Sequence, residues 1–317
     1  MFKTLLTDLS DNIFTITINR PDKLNAINKT VMDELGLAVD EVYTNKDIRS
    51  AIITGAGQRA FVAGADISEF QGLTKEEGQA LAAKGQNIFM RIASSPKPIA
   101  AAIHGFALGG GCELAMACHF RLCSPDAKFG QPEVNLGLIP GYGGTQRLTQ
   151  LVGRGRAIEI MLSARLVEAT EAHVMGLVNY IVEEPNELLT KTRELLSIIN
   201  EKAPIAIARI IELANIAAGD GVAANGAGDD DNWEADPFGG GVSPTHSSAG
   251  RDAHGNARHV EHGGAGDGGG RPERGGGTSC GGFTREQEAF GECFATEDMK
   301  EGAAAFLAKR KPKFTGR

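Results

Sequence analysis

From Gly219 to Gly282 the chain is about a third glycine and shows no apolar repeat of period 2 or 3.6. A segment of that composition cannot bury enough apolar surface to offset the entropy of ordering it, so disorder is expected there. Whatever the protein folds into must therefore be assembled from residues 1–218 and 283–317. The second piece, FTREQEAFGECFATEDMKEGAAAFLAKRK, returns to a helical pattern, with Asp298 placed as a cap for its last helix. The glycine-rich stretch is thus an interruption within a domain. As a flexible chain it spans roughly 45 Å root-mean-square, and it can rejoin its flanks without forcing them apart.

Before the interruption, strand and helix signals alternate. IFTITINRP alternates apolar and polar residues and stops at Pro21, RSAIITGAG is a β-branched run closed by glycines, and KPIAAAIHGFALG is a third run opened by Pro98. Between the last two lies TKEEGQALAAKGQNIFMRIASS, where Leu81, Phe89 and Ile92 recur at roughly helical spacing. Thr74 is set to cap this helix, with Glu77 completing a capping box. GRAIEIMLSA, NELLTKTRELLSIINEKA and PIAIARIIELANIAA read as further helices. The alternation predicts an α/β fold.

Bulk properties exclude several classes. The net charge is −8 and no long basic run precedes the tail, which argues against nucleic-acid binding. The odd set Cys112, Cys118, Cys123, Cys280 and Cys293 contains no C-x-x-C pair and reads as reduced thiols of a cytoplasmic protein. The first residues, MFKTLLTDLSDN, carry acids and pass directly into strand-like alternation, unlike a signal or transit peptide. No apolar run reaches about 18 residues, so no membrane span is expected. His254, His259 and His262 lie in the glycine-rich stretch without a fixed frame, so no metal site is expected from them.

The chemistry concentrates in GFALGGGCELAMACH. Gly109, Gly110 and Gly111 end one apolar run, and the single acid Glu113 sits in the next. A glycine turn leading into a helix allows positive φ and close approach of a ligand, and the helix start offers unpaired N–H groups suited to an anion. Twenty residues on, in AKFGQPEVNLGLIPGYGGTQRL, Glu133 lies in a similar glycine- and proline-framed apolar setting. Gly64-Ala65-Asp66, after the apolar end of AFVAGADISEF, offers another exposed amide. Each piece also has a plainer reading. Glu113 can be a helix-terminus charge, Glu133 a surface acid after a turn proline, and Glu69, Glu76 and Glu77 a solvated helix face. GYGGTQRL does not make a dinucleotide fingerprint. Residue types and spacing alone reach an α/β enzyme with a two-carboxylate site.

AFVAGADISEF, AAIHGFALGGGCELAMACHFRL and AKFGQPEVNLGLIPGYGGTQRLTQLVG, in this order and spacing, resemble the enoyl-CoA hydratase (crotonase) family. The resemblance covers residues 1 to about 218 and resumes near Phe283. It implies a spiral core of β-β-α units over residues 1–195. A helical, trimer-forming region (196–218 and 283–317) would follow, with 219–282 inserted in it. It implies a homotrimer or dimer of trimers acting on acyl-CoA thioesters without metal or redox cofactor. Ala65 and Gly110 would form the oxyanion hole, and Ala65, Asp66, Ile67, Ser68 and Gly110 would line the thioester end. Glu113 and Glu133 would be the catalytic pair, Glu113 as base and Glu133 as proton donor. Phe306 and Lys309 match positions that reach the adenosine end of CoA in relatives.

Both acids together favour a hydratase of fatty-acid β-oxidation or related acyl-CoA metabolism over a double-bond isomerase of the same fold. A non-catalytic acyl-CoA-binding scaffold is a further alternative. The short ISEF segment hints at small or medium acyl chains. Two departures from the family stand out: the insertion, which also holds the only tryptophan, Trp233, and His104, where many relatives carry asparagine.

Overall fold

The computed structural model describes residues 2–219 and 280–317. The glycine-rich stretch from 220 to 279, with its histidines and Trp233, lies outside the described residues, and so does the side chain of Cys280.

The elements in chain order are β1 (Leu5–Ser10), β2 (Ile13–Ile18), α1 (Lys29–Thr44), β3 (Ser50–Gly55), β4 (Ala60–Val62), α2 (Lys75–Ala93), β5 (Ile99–Ile103) and β6 (Phe106–Leu108). Then come α3 (Gly110–Ala117), β7 (Phe120–Cys123), β8 (Lys128–Gly130), α4 (Gly144–Val152), α5 (Arg154–Ser163), β9 (Val167–Glu168), α6 (Ala169–Val174) and β10 (Tyr180–Ile181). The described chain ends with α7 (Leu188–Asn200), α8 (Pro204–Ala218), α9 (Cys280–Phe294) and α10 (Glu297–Leu307).

Two sheets are built in parallel. The larger runs β1-β2-β3-β5-β7-β10 and the smaller β4-β6-β8-β9. Each turn of the chain lays one strand in the large sheet and the next in the small one: β3 then β4, β5 then β6, β7 then β8. All neighbours in that series pair parallel. This is the spiral of β-β-α units that the resemblance implies. KPIAAAIHGFALG, a single run in the sequence, divides at Gly105 (φ +55°), where one strand stops and the chain changes sheets. A side chain at Gly105 would meet the backbone of Arg59, so only glycine fits this corner.

The large sheet is covered on both faces, which explains why SAIITG and IAAAI are buried without alternation. One face joins the main core of Ile16, Ile53, Ala101, Val31, Leu35 and Phe89. The other packs Ile13, Ile52, Ala100 and Leu122 against Leu188 and Leu196 of α7. Helix α2 starts at the expected capping box, Thr74 Oγ1 accepting from Glu77 N–H while Glu77 accepts from Thr74 N–H. Phe89 and Ile92 are buried and Leu81 half-buried.

The C-terminal helices return to the core. Phe290 and Phe294 of α9 and Met299 and Ala303 of α10 form a cluster with Phe70, Ala82 and Leu138. Helix α9 begins at Cys280, three residues before the expected point. The cap of α10 is Thr296, whose hydroxyl accepts from Met299 N–H at 3.1 Å. Asp298, expected in that role, already lies inside the first turn and accepts instead from the Thr315 and Gly316 amides, tying down the tail. Cys112, Cys118 and Cys123 are buried free thiols and Cys293 is a half-buried one. Among the described residues no helix is long and apolar enough to cross a membrane.

Candidate active site

Helix α3 supplies the first carboxylate. It is buried along its whole length, because it runs between the two sheets and the α2 layer. Gly109 makes the turn into it with φ +50°, and a Cβ there would lie 2.7 Å from a Glu133 carboxylate oxygen. At Gly111 a Cβ would lie 2.0 Å from the Val62 carbonyl, so glycine lets the helix seat against β4. At the other end Arg121 donates to the Cys118 and Ala115 carbonyls, collecting groups the helix leaves unpaired. Glu113 is thereby fixed near the start of α3 at 2% exposure.

Glu113 Oε1 accepts from the Tyr142 amide at 2.8 Å and the Gly144 amide at 2.7 Å. Burial, followed by the charges of Glu133 and Glu286, nevertheless drives its acidity down and its pKa well above the usual carboxylate range. Glu133 opens the short 3-10 turn Glu133–Leu136 after Pro132. With its amide nitrogen turned toward Glu133, Gln131 donates to both carboxylate oxygens at 2.9 and 3.1 Å; the reverse orientation would set oxygen against oxygen. Burial, with Glu286 adding repulsion, pushes the Glu133 pKa up to about 8. Burial of two nearby acids thus favours at least one being protonated at neutral pH.

The two carboxylates share an open cavity of about 600 Å³, counting its mouth, with Ala65, Gly110, Tyr142 and the aromatic rings of Phe70 and Phe290. Gly110 is the first residue of α3, where helical amides have no partner within the helix. Ala65 lies in a short parallel bridge with Ile27 that uses the Gly64 carbonyl and the Asp66 amide. By strand alternation the Ala65 amide points away from Ile27. Two backbone donors and two acids therefore frame one apolar space.

Other expected residues fall on either side of this boundary. Ile67 and Phe306 line the cavity, and Phe306 is 58% exposed at its rim. Asp66 and Ser68 do not line it: Asp66 pairs with Arg20 at 3.0 Å and accepts from Ser68 Oγ at 2.6 Å. Lys309 follows the end of α10 in a left-handed conformation, also outside the lining. The His104 carbonyl accepts from Phe61 N–H, and burial lowers the imidazole pKa, so this departure fits as a neutral ring.

A third buried acid escaped the sequence reading. Glu286 on α9 is 3% exposed and accepts from the Gly143 and Thr145 amides and from Gln86 Nε2. The signal was present, since Phe283, Glu286, Phe290 and Phe294 stand at helical spacing on one face.

With this geometry in hand, comparison with known proteins is decisive. The family model for enoyl-CoA hydratase/isomerase matches residues 8–235. The chain belongs to that family. It is 36% identical over 307 residues to the short-chain-enoyl-CoA hydratase of Clostridium acetobutylicum, covering 97% of this chain and 95% of that protein. It is also 36% identical over 313 residues to the crotonyl-CoA hydratase of Syntrophomonas wolfei subsp. wolfei, covering 99% and 98%. A crystal structure of an enoyl-CoA hydratase from Mycobacterium avium subsp. paratuberculosis K-10 superposes with a TM-score of 0.73 at 24% identity, over 99% of this chain and 100% of that one. At that identity the likeness speaks for the family's fold, whose two-sheet spiral is the one described above.

Proposed function

We propose that the chain is an enoyl-CoA hydratase, adding water syn across the C2–C3 double bond of a trans-2-enoyl-CoA to give a 3-hydroxyacyl-CoA. The observation that carries this reading is the convergence of Glu113, Glu133, Ala65 and the first amide of α3 on one apolar cavity. The Ala65 and Gly110 amides polarise the thioester carbonyl and hold the enolate oxygen, donors of a kind whose single loss typically costs about 10²–10³ in rate. Among the described residues the two backbone donors to Glu113 both fall on Oε1, so Oε2 is left to take a proton from water as its oxygen attacks C3. The electron pair of the double bond moves to the carbonyl oxygen. The two acids share one proton: Glu113, gripped by two backbone amides that favour its charged form, is the carboxylate, and Glu133, its pKa raised by burial, carries the proton that it returns to C2 as the carbonyl re-forms. Each acid–base contribution is worth typically about 10²–10⁴. The thioester itself is the electron sink, so the reading needs neither metal nor redox cofactor.

Phe306 at the cavity rim, with Lys309 beyond it, suits the CoA portion of the substrate. The apolar cavity wall and the short Ile67–Phe70 turn suit small or medium acyl chains in fatty-acid β-oxidation or related acyl-CoA metabolism. We place the enzyme in the cytoplasm as a homotrimer or dimer of trimers, binding neither nucleic acid nor membrane. Helix α8 supports assembly: among the described residues it has no buried side chain and exposes Ile205, Ile210, Leu213 and Ile216, with Ile210 at 67%.

The test follows the ultraviolet absorbance of the enoyl thioester after mixing the protein with crotonyl-CoA, beside Glu113→Gln and Glu133→Gln. Rapid loss, suppressed by about 10²-fold or more in each variant, is expected. No loss from folded, assembled protein overturns the hydratase reading in favour of another acyl-CoA reaction such as double-bond isomerisation.

A further inference from the structure

Four consecutive residues, Tyr142 to Thr145, run between two buried acids that come from different helices. The Tyr142 and Gly144 amides donate to Glu113 of α3. The Gly143 and Thr145 amides donate to Glu286 of α9, at 2.5 and 2.9 Å, and the Thr145 hydroxyl joins them. Alternate amides of one strip thus face opposite carboxylates, and Gln86 of α2 fixes Glu286 from behind at 2.8 Å. We propose that Glu286 is a positioning residue for hydration: by holding the Gly143 and Thr145 amides it aims those of Tyr142 and Gly144 at Glu113. The proposal rests on Glu113 acting as the base.

A carboxylate suits this place because both its oxygens accept. Oε1 takes the Gly143 amide and Gln86, and Oε2 takes Thr145. A glutamine has one accepting oxygen and turns its NH2 toward one arm of the strip. Charge adds a second consequence. Among the described residues the charges acting on Glu113 are those of Glu133 and Glu286; Cys112 on its own helix and Tyr142 in the strip are titratable groups beside it, Arg147 of α4 donates to the Tyr142 carbonyl, and α2 presents neutral Gln86. The repulsion from Glu286 raises both Glu113 and Glu133, so removing it lowers both.

The experiment measures kcat, KM, the pH–rate profile and thermal melting of full-length Glu286→Gln, Glu286→Ala and Thr145→Val on crotonyl-CoA, with Glu113→Gln alongside. Expected is a kcat loss on the order of 10-fold for Gln and 10²-fold for Ala with KM little changed. Both limbs of the profile should move to lower pH, and Thr145→Val should show a smaller change of the same kind. A Glu286→Gln enzyme that folds and matches the parent in kcat and profile overturns the proposal. So does one whose activity falls only in step with its melting temperature while the limbs stay fixed. If neither Glu286 variant folds, Thr145→Val decides, and an unmoved profile there overturns it. Full hydration by Glu113→Gln would sink the two-carboxylate reading itself. An inactive Glu113→Gln beside a parent-like Glu286→Gln would sink only the positioning role.

Discussion

Glu113 and Glu133 open on the same cavity but are held by different means. Glu113 is fixed in a buried helix and gripped by two backbone amides. Glu133 stands on a one-turn 3-10 segment and accepts from its own backbone amide and from the side-chain amide of Gln131. Backbone donors cannot rotate away, so the first carboxylate is held as rigidly as the fold. The second takes its side-chain donor from a rotatable group, so its proton affinity can be tuned by one substitution. The difference suits the roles proposed: an immobile base that must aim a water, and an acid whose proton affinity must suit delivery to carbon.

The largest expected effect comes from removing both. If the two acids work as a unit on one water, the Glu113→Gln/Glu133→Gln double variant should be little slower than the worse single variant, as is usual for residues acting together. Multiplicative losses in crotonyl-CoA hydration would break the comparison by showing that the acids act independently.

A smaller effect, on the order of 10-fold in kcat, is expected for Gln131→Leu, which removes the side-chain donor from Glu133 and leaves Glu113 untouched. Donors to a carboxylate favour its charged form, so their loss raises Glu133 further. With Glu133 as the acid, the parent's activity should fall as pH passes about 8, and in Gln131→Leu that alkaline limb should move to higher pH while the acid limb stays. Movement of the acid limb instead would exchange the two roles.

The smallest effect is on stability. The folded pKa of Glu133 is raised above that of an ordinary glutamate, so the native state holds its proton more tightly than the unfolded chain. The stability this contributes is fully present below the unfolded value near 4.5 and is lost as pH rises through about 8. Glu133→Gln, which carries no charge to bury, should therefore melt above the parent at pH 8, by on the order of 10 °C at about 1.4 kcal/mol per pKa unit and roughly 2–4 °C per kcal/mol. The gap should close toward pH 4.5. A constant gap in melting scans would show that packing, not the proton, separates the two proteins.

How legible each acid was in the sequence follows from its neighbours. Glu113 and Glu133 stood out because each is a lone charge among apolar, glycine and proline residues, where a solvated role is improbable. Glu286 did not stand out, since FTREQEAFGEC also carries Glu288 and Glu292, which pair with Arg285 on the exposed side. In one dimension the three acids look alike. Asp298 was misread for a related reason: it and Thr296 are both good caps, and which one begins the helix depends on where the preceding turn ends.

The local pattern by itself determined the α/β alternation, the capped α2 helix, the glycine turn into α3 and the two lone carboxylates, because each is set by residues close along the chain. Other features waited for the tertiary structure: the division of strands between two sheets, the placing of Asp66 with Arg20 and not in the cavity, and the meeting of Glu286 with residues 143–145. These join residues as many as 143 positions apart. Such contacts are chosen by which surfaces can be buried together, a property of the whole packed chain that no single stretch of it encodes.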